Sequence, residues 1–275
     1  MLHVDHLKKT YGEGAKAVEA IGDLNFEVRE KEFVCVVGPS GCGKTTLLKC
    51  MSGLLPLSGG EVRLHDRRVG GPPEKMALVF QEYSRSLFPW MTVRQNVAFP
   101  LRRRRLDKAA TRELVEGAME SVALSSVLDR YPWELSGGMQ QRVAIARALA
   151  YQPEIMLMDE PFASVDAQTR ADLEDLVLDV RRQYGVTVVF VTHDIDESIY
   201  LGDRVVVLTP SPTQVQEILE VELPSPRDQI ETKELAEFGH LRAHVYRSIK
   251  RRQPTADDAA DRPAEPVASG ERQQG

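Results

Sequence analysis

The 275-residue chain carries 35 Lys and Arg against 41 Asp and Glu, a formal net charge of −6, and 42% of its residues are hydrophobic. That supports a packed core, in one large α/β domain or two lobes, and argues against a polyanion such as nucleic acid as a main partner. No apolar stretch approaches the ~18–20 residues needed to cross a bilayer, no basic-then-apolar leader opens the chain, and Cys35, Cys42 and Cys50 lack framework spacing, so a cytoplasmic chain without disulfides is expected.

In chain order, Leu2, His3 and Val4, and then Leu24 to Val28, alternate apolar and polar residues and read as half-buried antiparallel strands. Tyr11, beside Gly12, reads either as a turn residue or as an aromatic that stacks on a purine. The apolar run Phe33, Val34, Cys35, Val36, Val37 predicts a buried strand, and Leu47 to Met51 a helix closed by Gly53. Between them stand Gly38, Pro39, Ser40, Gly41, Cys42, Gly43, Lys44, Thr45 and Thr46, the G-x-x-x-x-G-K-[ST] pattern in its strand–loop–helix context. The glycines permit a tight loop whose N–H groups and helix start face phosphate; Lys44 adds a point charge, and the Thr45 hydroxyl can ligate Mg²⁺. Cys42, inside this loop, reads either as a small tolerated residue or as a thiol open to alkylation.

Glu61 to Leu64 predicts a strand, and Met76 to Phe80 one buried on both faces that delivers Gln81 to its carboxyl end. From Thr92, a predicted N-cap, to Ala150 the pattern is helical. Ser136 caps a helix there, and Gly137 and Gly138 leave its first N–H groups open to an anion. Ile155 to Met158 runs as a buried strand into Asp159 and Glu160, a match to a Walker B element. Asp166 opens a long helix with Leu173, Leu176, Val177 and Val180 on its apolar face, closed by Gly185. Val186 to Val191 is a further buried strand that ends at Thr192, His193 and Asp194; a lone His there is structural, solvated or functional. The phosphate loop, Gln81, the Asp159–Glu160 pair and His193 thus share the carboxyl edge of a parallel sheet, where ligands bind.

This ordered set resembles the ATP-binding cassette ATPases over roughly residues 1–225. The resemblance implies Tyr11 as the adenine-stacking aromatic, residues 38–46 as Walker A, Gln81 as the Q-loop, residues 135–142 as the signature, Asp159 and Glu160 as Walker B, Ser164, Val165 and Asp166 as the D-loop, and His193 as the switch histidine. Met139 stands where the family commonly has Gln, with Gln140 next. Phe88 to Val93, and Leu223 to Asp228, look like importer cassettes of the nitrate, sulfonate and taurine branch. The implied fold is an α/β P-loop NTPase (RecA-like) core with an N-terminal antiparallel β subdomain and an inserted helical subdomain. Its parts would be the β subdomain and first part of the core (1–91), the helical subdomain with the signature (92–150), the second part of the core (151–225), a C-terminal helical extension (226–252) and a disordered tail (253–275).

The same resemblance implies ATP and Mg²⁺ as ligands. Thr45, Gln81 and Asp159 would hold the metal, Glu160 would polarise water, His193 would contact the γ-phosphate, and Lys44 would offset charge. A head-to-tail homodimer would complete each site with Ser136, Gly137, Gly138 and Gln140 of the other copy, with Asp166 beside it. Transmembrane permease subunits and, indirectly, an extracytoplasmic substrate-binding protein are the implied partners, at the cytoplasmic face of the membrane. Another importer, an exporter cassette or a non-transport ATPase of the family are the alternatives. Three signals lie outside this set: Arg102 to Arg105 with Lys108 suits anionic lipid or plain solvation, His240 and His244 read as surface residues, and Leu235, Phe238, Leu241, Val245 and Ile249 form a packing stripe.

Overall fold

The computed structural model describes residues 1–81 and 86–250. Within them, ten strands form one sheet in the order β5-β4-β1-β2-β10-β9-β3-β8-β7-β6. Its antiparallel wing comprises β1 (Leu2–Tyr11), β2 (Val18–Val28), β4 (Gly59–Leu64) and β5 (Arg67–Arg68). Its parallel wing comprises β3 (Phe33–Val37), β6 (Met76–Val79), β7 (Ile155–Asp159), β8 (Thr187–Val191) and β9 (Arg204–Leu208). Strand β10 (Thr213–Glu220) joins the wings, antiparallel to β9 and parallel to β2.

The parallel strands are apolar at nearly every position because both of their faces are covered. Phe33, Cys35, Val37, Met158 and Phe190 face one core, which the longer helices cover. Val34, Val36, Leu157 and Val191 face the other, where Leu47, Leu48 and Met51 of α1 (Lys44–Met51) meet Leu7, Ile21 and Leu24 of the antiparallel wing. Helix α1 is therefore clasped between the wings, and the loop that leads into it inherits that fixed position. Gly53 (φ 71°) stops the helix; a Cβ there would lie 2.5 Å from the Gly71 carbonyl carbon.

Residues 92–150 hold α2 (Val93–Ala98), α3 (Lys108–Ser121) and α4 (Gly137–Ala150), with no strand among them. Thr92 caps α2 in a reciprocal capping box with Gln95, and Asp107 and Ser136 cap the next two. Helix α5 (Ala167–Tyr184) starts at its N-cap Asp166 and ends at Gly185 with φ 61°. Helix α6 (Ile195–Leu201) follows β8, and α7 (Glu231–Glu234) and α8 (Ala236–Lys250) close the described chain. The α8 stripe packs on the larger core through Phe238 and Val245, with Leu241 and Ile249 partly buried.

Two expectations change. Strand β6 is not buried on both faces: it is the edge of the sheet, so only Met76 and Val79 are buried while Ala77 and Leu78 are half-covered. Strand β9, fully buried between β3 and β10, is absent from the sequence reading. The expected disordered tail, with the last residues of the helical extension, lies outside the described residues.

Candidate active site

Strands β3, β6, β7 and β8 end at one edge, and the residues that follow β3, β7 and β8 meet there. After β3 the chain turns at Gly38 and winds through Gly41 (φ 75°) and Gly43 (φ 98°) into α1. Only a glycine adopts the φ of Gly43 without strain, and Gly43 stands as the N-cap, so the first N–H groups of α1 remain free for an anion. Lys44 Nζ donates to the Gly38 and Pro39 carbonyls at 3.0 and 3.1 Å, which bends the loop around its charge. From outside, the Thr213 hydroxyl of β10 donates to the Cys42 carbonyl and braces the loop; nothing in the local pattern around Thr213 announces that role.

Across the edge, the Thr45 hydroxyl donates to Asp159 Oδ1 at 3.1 Å. Burial pushes the Asp159 carboxyl up, the Thr45 hydrogen bond opposes that shift, and neighbouring Glu160 adds to it. A buried carboxylate beside a hydroxyl offers hard oxygen donors and excess negative charge, a set that fits a magnesium ion. Glu160 sits at φ 41°, a region costly for a non-glycine residue, with its N–H donating to Val191 O at 2.9 Å. That backbone turns its carboxylate toward the end of β8, where Oε2 lies 2.9 Å from His193 Nδ1. Ser40, Gly41, Gly43, Lys44, Thr45, Thr46, Glu160 and His193 line one cleft of ≈ 510 Å³.

The remaining predicted residues stand around this cleft. Tyr11 ends β1, half-exposed, with its hydroxyl 3.2 Å from Thr46 Oγ1 and Lys9 Nζ 5.1 Å from its ring centroid, so the turn reading gives way to a strand end at the site. Gln81 is exposed just past β6, next to residues outside the description. Cys42 is 1% exposed beneath the loop and burial raises its thiol, so it packs as a small apolar side chain and the alkylation reading is corrected. Ser136, Gly137 and Gly138 do not line the cleft; Ser136 caps α4 by accepting from Met139 N, and Gly138 lies against Thr169. Gln140 turns its amide back to the Pro132 and Leu135 carbonyls at 3.0 and 3.2 Å, which holds the turn before α4. Asp166 accepts from Thr169 N and Oγ1, and these bonds hold its carboxyl below the usual range.

Residues 21–163 match the ABC transporter family. The chain belongs to that family. It is an ABC ATPase, and its cassette fold recurs in solved relatives. It is 45% identical over 222 residues to the aliphatic sulfonates import ATP-binding protein SsuB of Bacillus licheniformis, covering 81% of this chain and 85% of that protein. It is 38% identical over 261 residues to the nitrate transport protein NasD of Klebsiella oxytoca, covering 93% and 98%. The dimeric structure of the ATP-binding cassette MJ0796, in a post-hydrolysis state bound to ADP and Pi, superposes with a TM-score of 0.71 at 31% identity, covering 80% of this chain and 99% of that one. No described helix of the cassette is long and apolar enough to cross a membrane.

Proposed function

We propose that this ABC ATPase binds Mg-ATP in the 38–46 loop and couples its hydrolysis to uptake of a small anion, such as nitrate, an aliphatic sulfonate or taurine, through separate permease subunits. The observation that carries the reading is the meeting of the strand ends: Thr45 with Asp159, and Glu160 with His193, beside the cleft that the 38–46 loop lines. The N–H groups of residues 41–46 and Lys44 hold the phosphates, and Tyr11 stands beside Thr46 to stack on the base. Asp159, the Thr45 hydroxyl and Gln81 would hold Mg²⁺, which would supply neutralisation of the phosphate charge. Glu160 orients and polarises the attacking water, and His193 contacts the γ-phosphate while holding Glu160 in place. These roles are positional and electrostatic, so the loss of one should cost on the order of 10²–10³ in rate.

The site is half of a pair in this reading. A second copy, head to tail, presents Ser136, Gly137 and Gly138 at the free N-terminus of α4 to the γ-phosphate. The dimeric MJ0796 cassette supports pairing of two copies. Binding closes the pair and hydrolysis releases it.

The permease face is the groove of ≈ 650 Å³ between β6 and α4, with Phe80, Phe88, Phe99, Pro100 and Tyr151 in its lining. Trp90 stands exposed near its end, and an aromatic, mostly apolar groove beside Gln81 suits a permease helix. The sulfonate import relative supports the direction of transport, and it and the nitrate transport relative support an anionic solute. Uptake of radiolabelled anions by cells that produce this chain with its permease subunits, with and without Glu160→Gln, tests the assignment. Loss of uptake for one of these anions is expected, and undiminished uptake of all of them in the variant overturns it.

A further inference from the structure

His193 is half exposed and touches Glu160, yet its two neighbours are clamped. Thr192 Oγ1 donates to the buried carboxylate of Glu197 on α6 and accepts from Asp194 N at 2.9 Å. Asp194 Oδ1 caps α6 by accepting from Asp196 N at 2.9 Å and Glu197 N at 3.2 Å. Arg170 then reaches across from α5: its Nη1 donates to Asp194 Oδ2 at 3.2 Å, and its Nε lies 3.6 Å from Glu197 Oε1. Arg170 sits one turn into α5, and its own N–H donates to the Asp166 carbonyl at 2.9 Å. The backbone on both sides of His193 is therefore tied to the helix that opens at Asp166, through groups that do not touch the cleft.

We infer that Glu197 and Arg170 are positioning residues, which hold the Thr192–Asp194 segment so that His193 meets Glu160 and which link that alignment to the start of the helix after Asp166. The inference rests on the reading of His193 and Glu160 as the pair at the γ-phosphate end of the site. An isolated imidazole on a loose loop would sample many orientations; one flanked by two anchored residues keeps the near-attack geometry at little entropic cost. A merely structural role would lower stability and leave turnover of the folded protein intact.

The test is steady-state ATPase kinetics of the full-length protein, with wild type, Glu197→Ala, His193→Ala and the double variant, each checked for a cooperative thermal transition. Thr192→Val, which removes the hydroxyl between Glu197 and Asp194 at nearly constant volume, replaces Glu197→Ala if that variant does not fold. Glu197→Ala is expected to lower kcat about tenfold and to change KM for ATP less than about twofold, and in the His193→Ala background to lower kcat by less than about twofold more. An unchanged kcat, or a drop that multiplies with that of His193→Ala, overturns the positioning role alone. Normal turnover by His193→Ala overturns the reading of His193, and the positioning role with it.

Discussion

Replacing Gly138 with Ala tests how tightly the start of α4 is held. An ideal Cβ at Gly138 would lie 2.4 Å from Thr169 Cγ2. Ordinary carbon contact is about 3.5–4 Å, so the two helices must part by about 1 Å or Thr169 must turn. Turning is resisted: Thr169 Oγ1 donates to Asp166 Oδ2 at 2.7 Å and its N–H to Asp166 Oδ1 at 3.0 Å, the cap of α5. Overpacking of this kind costs about 1–3 kcal/mol, while Ala in a helix gains at most about 1 kcal/mol over Gly, so the clash wins. With that gain subtracted the net loss reaches about 2 kcal/mol, and at about 2–4 °C per kcal/mol for a chain of this size the thermal midpoint should fall by up to roughly 8 °C. Thr169→Ser deletes the offending methyl and keeps the hydroxyl for Asp166. In that background Gly138→Ala should be neutral or slightly stabilising, as read by thermal denaturation of the four proteins. An equal loss in both backgrounds would refute the contact as the cause.

Three further outcomes follow from other sites. Lys44→Ala removes the charge around which the phosphate loop is bent and should weaken ATP binding about 10–100-fold, as measured with a fluorescent nucleotide; unchanged affinity would contradict the role of Lys44. Gln141 on α4 is fully buried, and neither of its amide atoms has a hydrogen-bonding partner among the described residues. Gln141→Leu should therefore raise stability by about 1–2 kcal/mol in urea unfolding, and a loss of that size would show that the amide is satisfied in solution. Burial raises the Glu197 carboxyl to about 7; the Thr192 hydrogen bond and Arg170 oppose the shift, and Asp194 and Glu174 add to it. Because the folded value lies above the unfolded one, the stabilisation is full below the ordinary carboxylate range and is lost as pH rises through about 7. Glu197→Gln, a neutral mimic, should thus gain in thermal midpoint relative to wild type as pH rises from about 5 to about 7, and the difference should level off above that. A difference independent of pH would contradict that sign.

What the sequence made legible was local. The loop at 38–46, the Asp166 cap and the Ser136 cap each combine a turn residue with a flanking apolar run, and each appears where that chemistry puts it. The convergence of the ends of β3, β7 and β8 was legible too, since parallel strands carry their ligands at their carboxyl ends, whereas Gln81 stands exposed past β6 and outside the cleft. What stayed hidden depends on partners far along the chain. Strand β9 is buried only because it inserts between β3 and β10, and its Arg204 is paired with Glu32 inside the fold at 3.1 Å. Edge placement of β6 is likewise decided by sheet order and not by its own residues. Arg170, Thr213 and Glu197 look like ordinary helix and strand residues. Of these, only Glu197 left a trace, three residues past the Asp194 cap, and its side chain serves Thr192.

The central claim is that the phosphate loop is half of a site that a second copy completes. The most direct measurement is light-scattering molar mass of the full-length Glu160→Gln variant with and without Mg-ATP, since this variant should bind nucleotide and not release it by hydrolysis. The mass should double with Mg-ATP and return to that of one chain when Ser136→Arg is added, with ATP still bound to the loop. A variant that binds Mg-ATP and keeps the mass of one chain would contradict it.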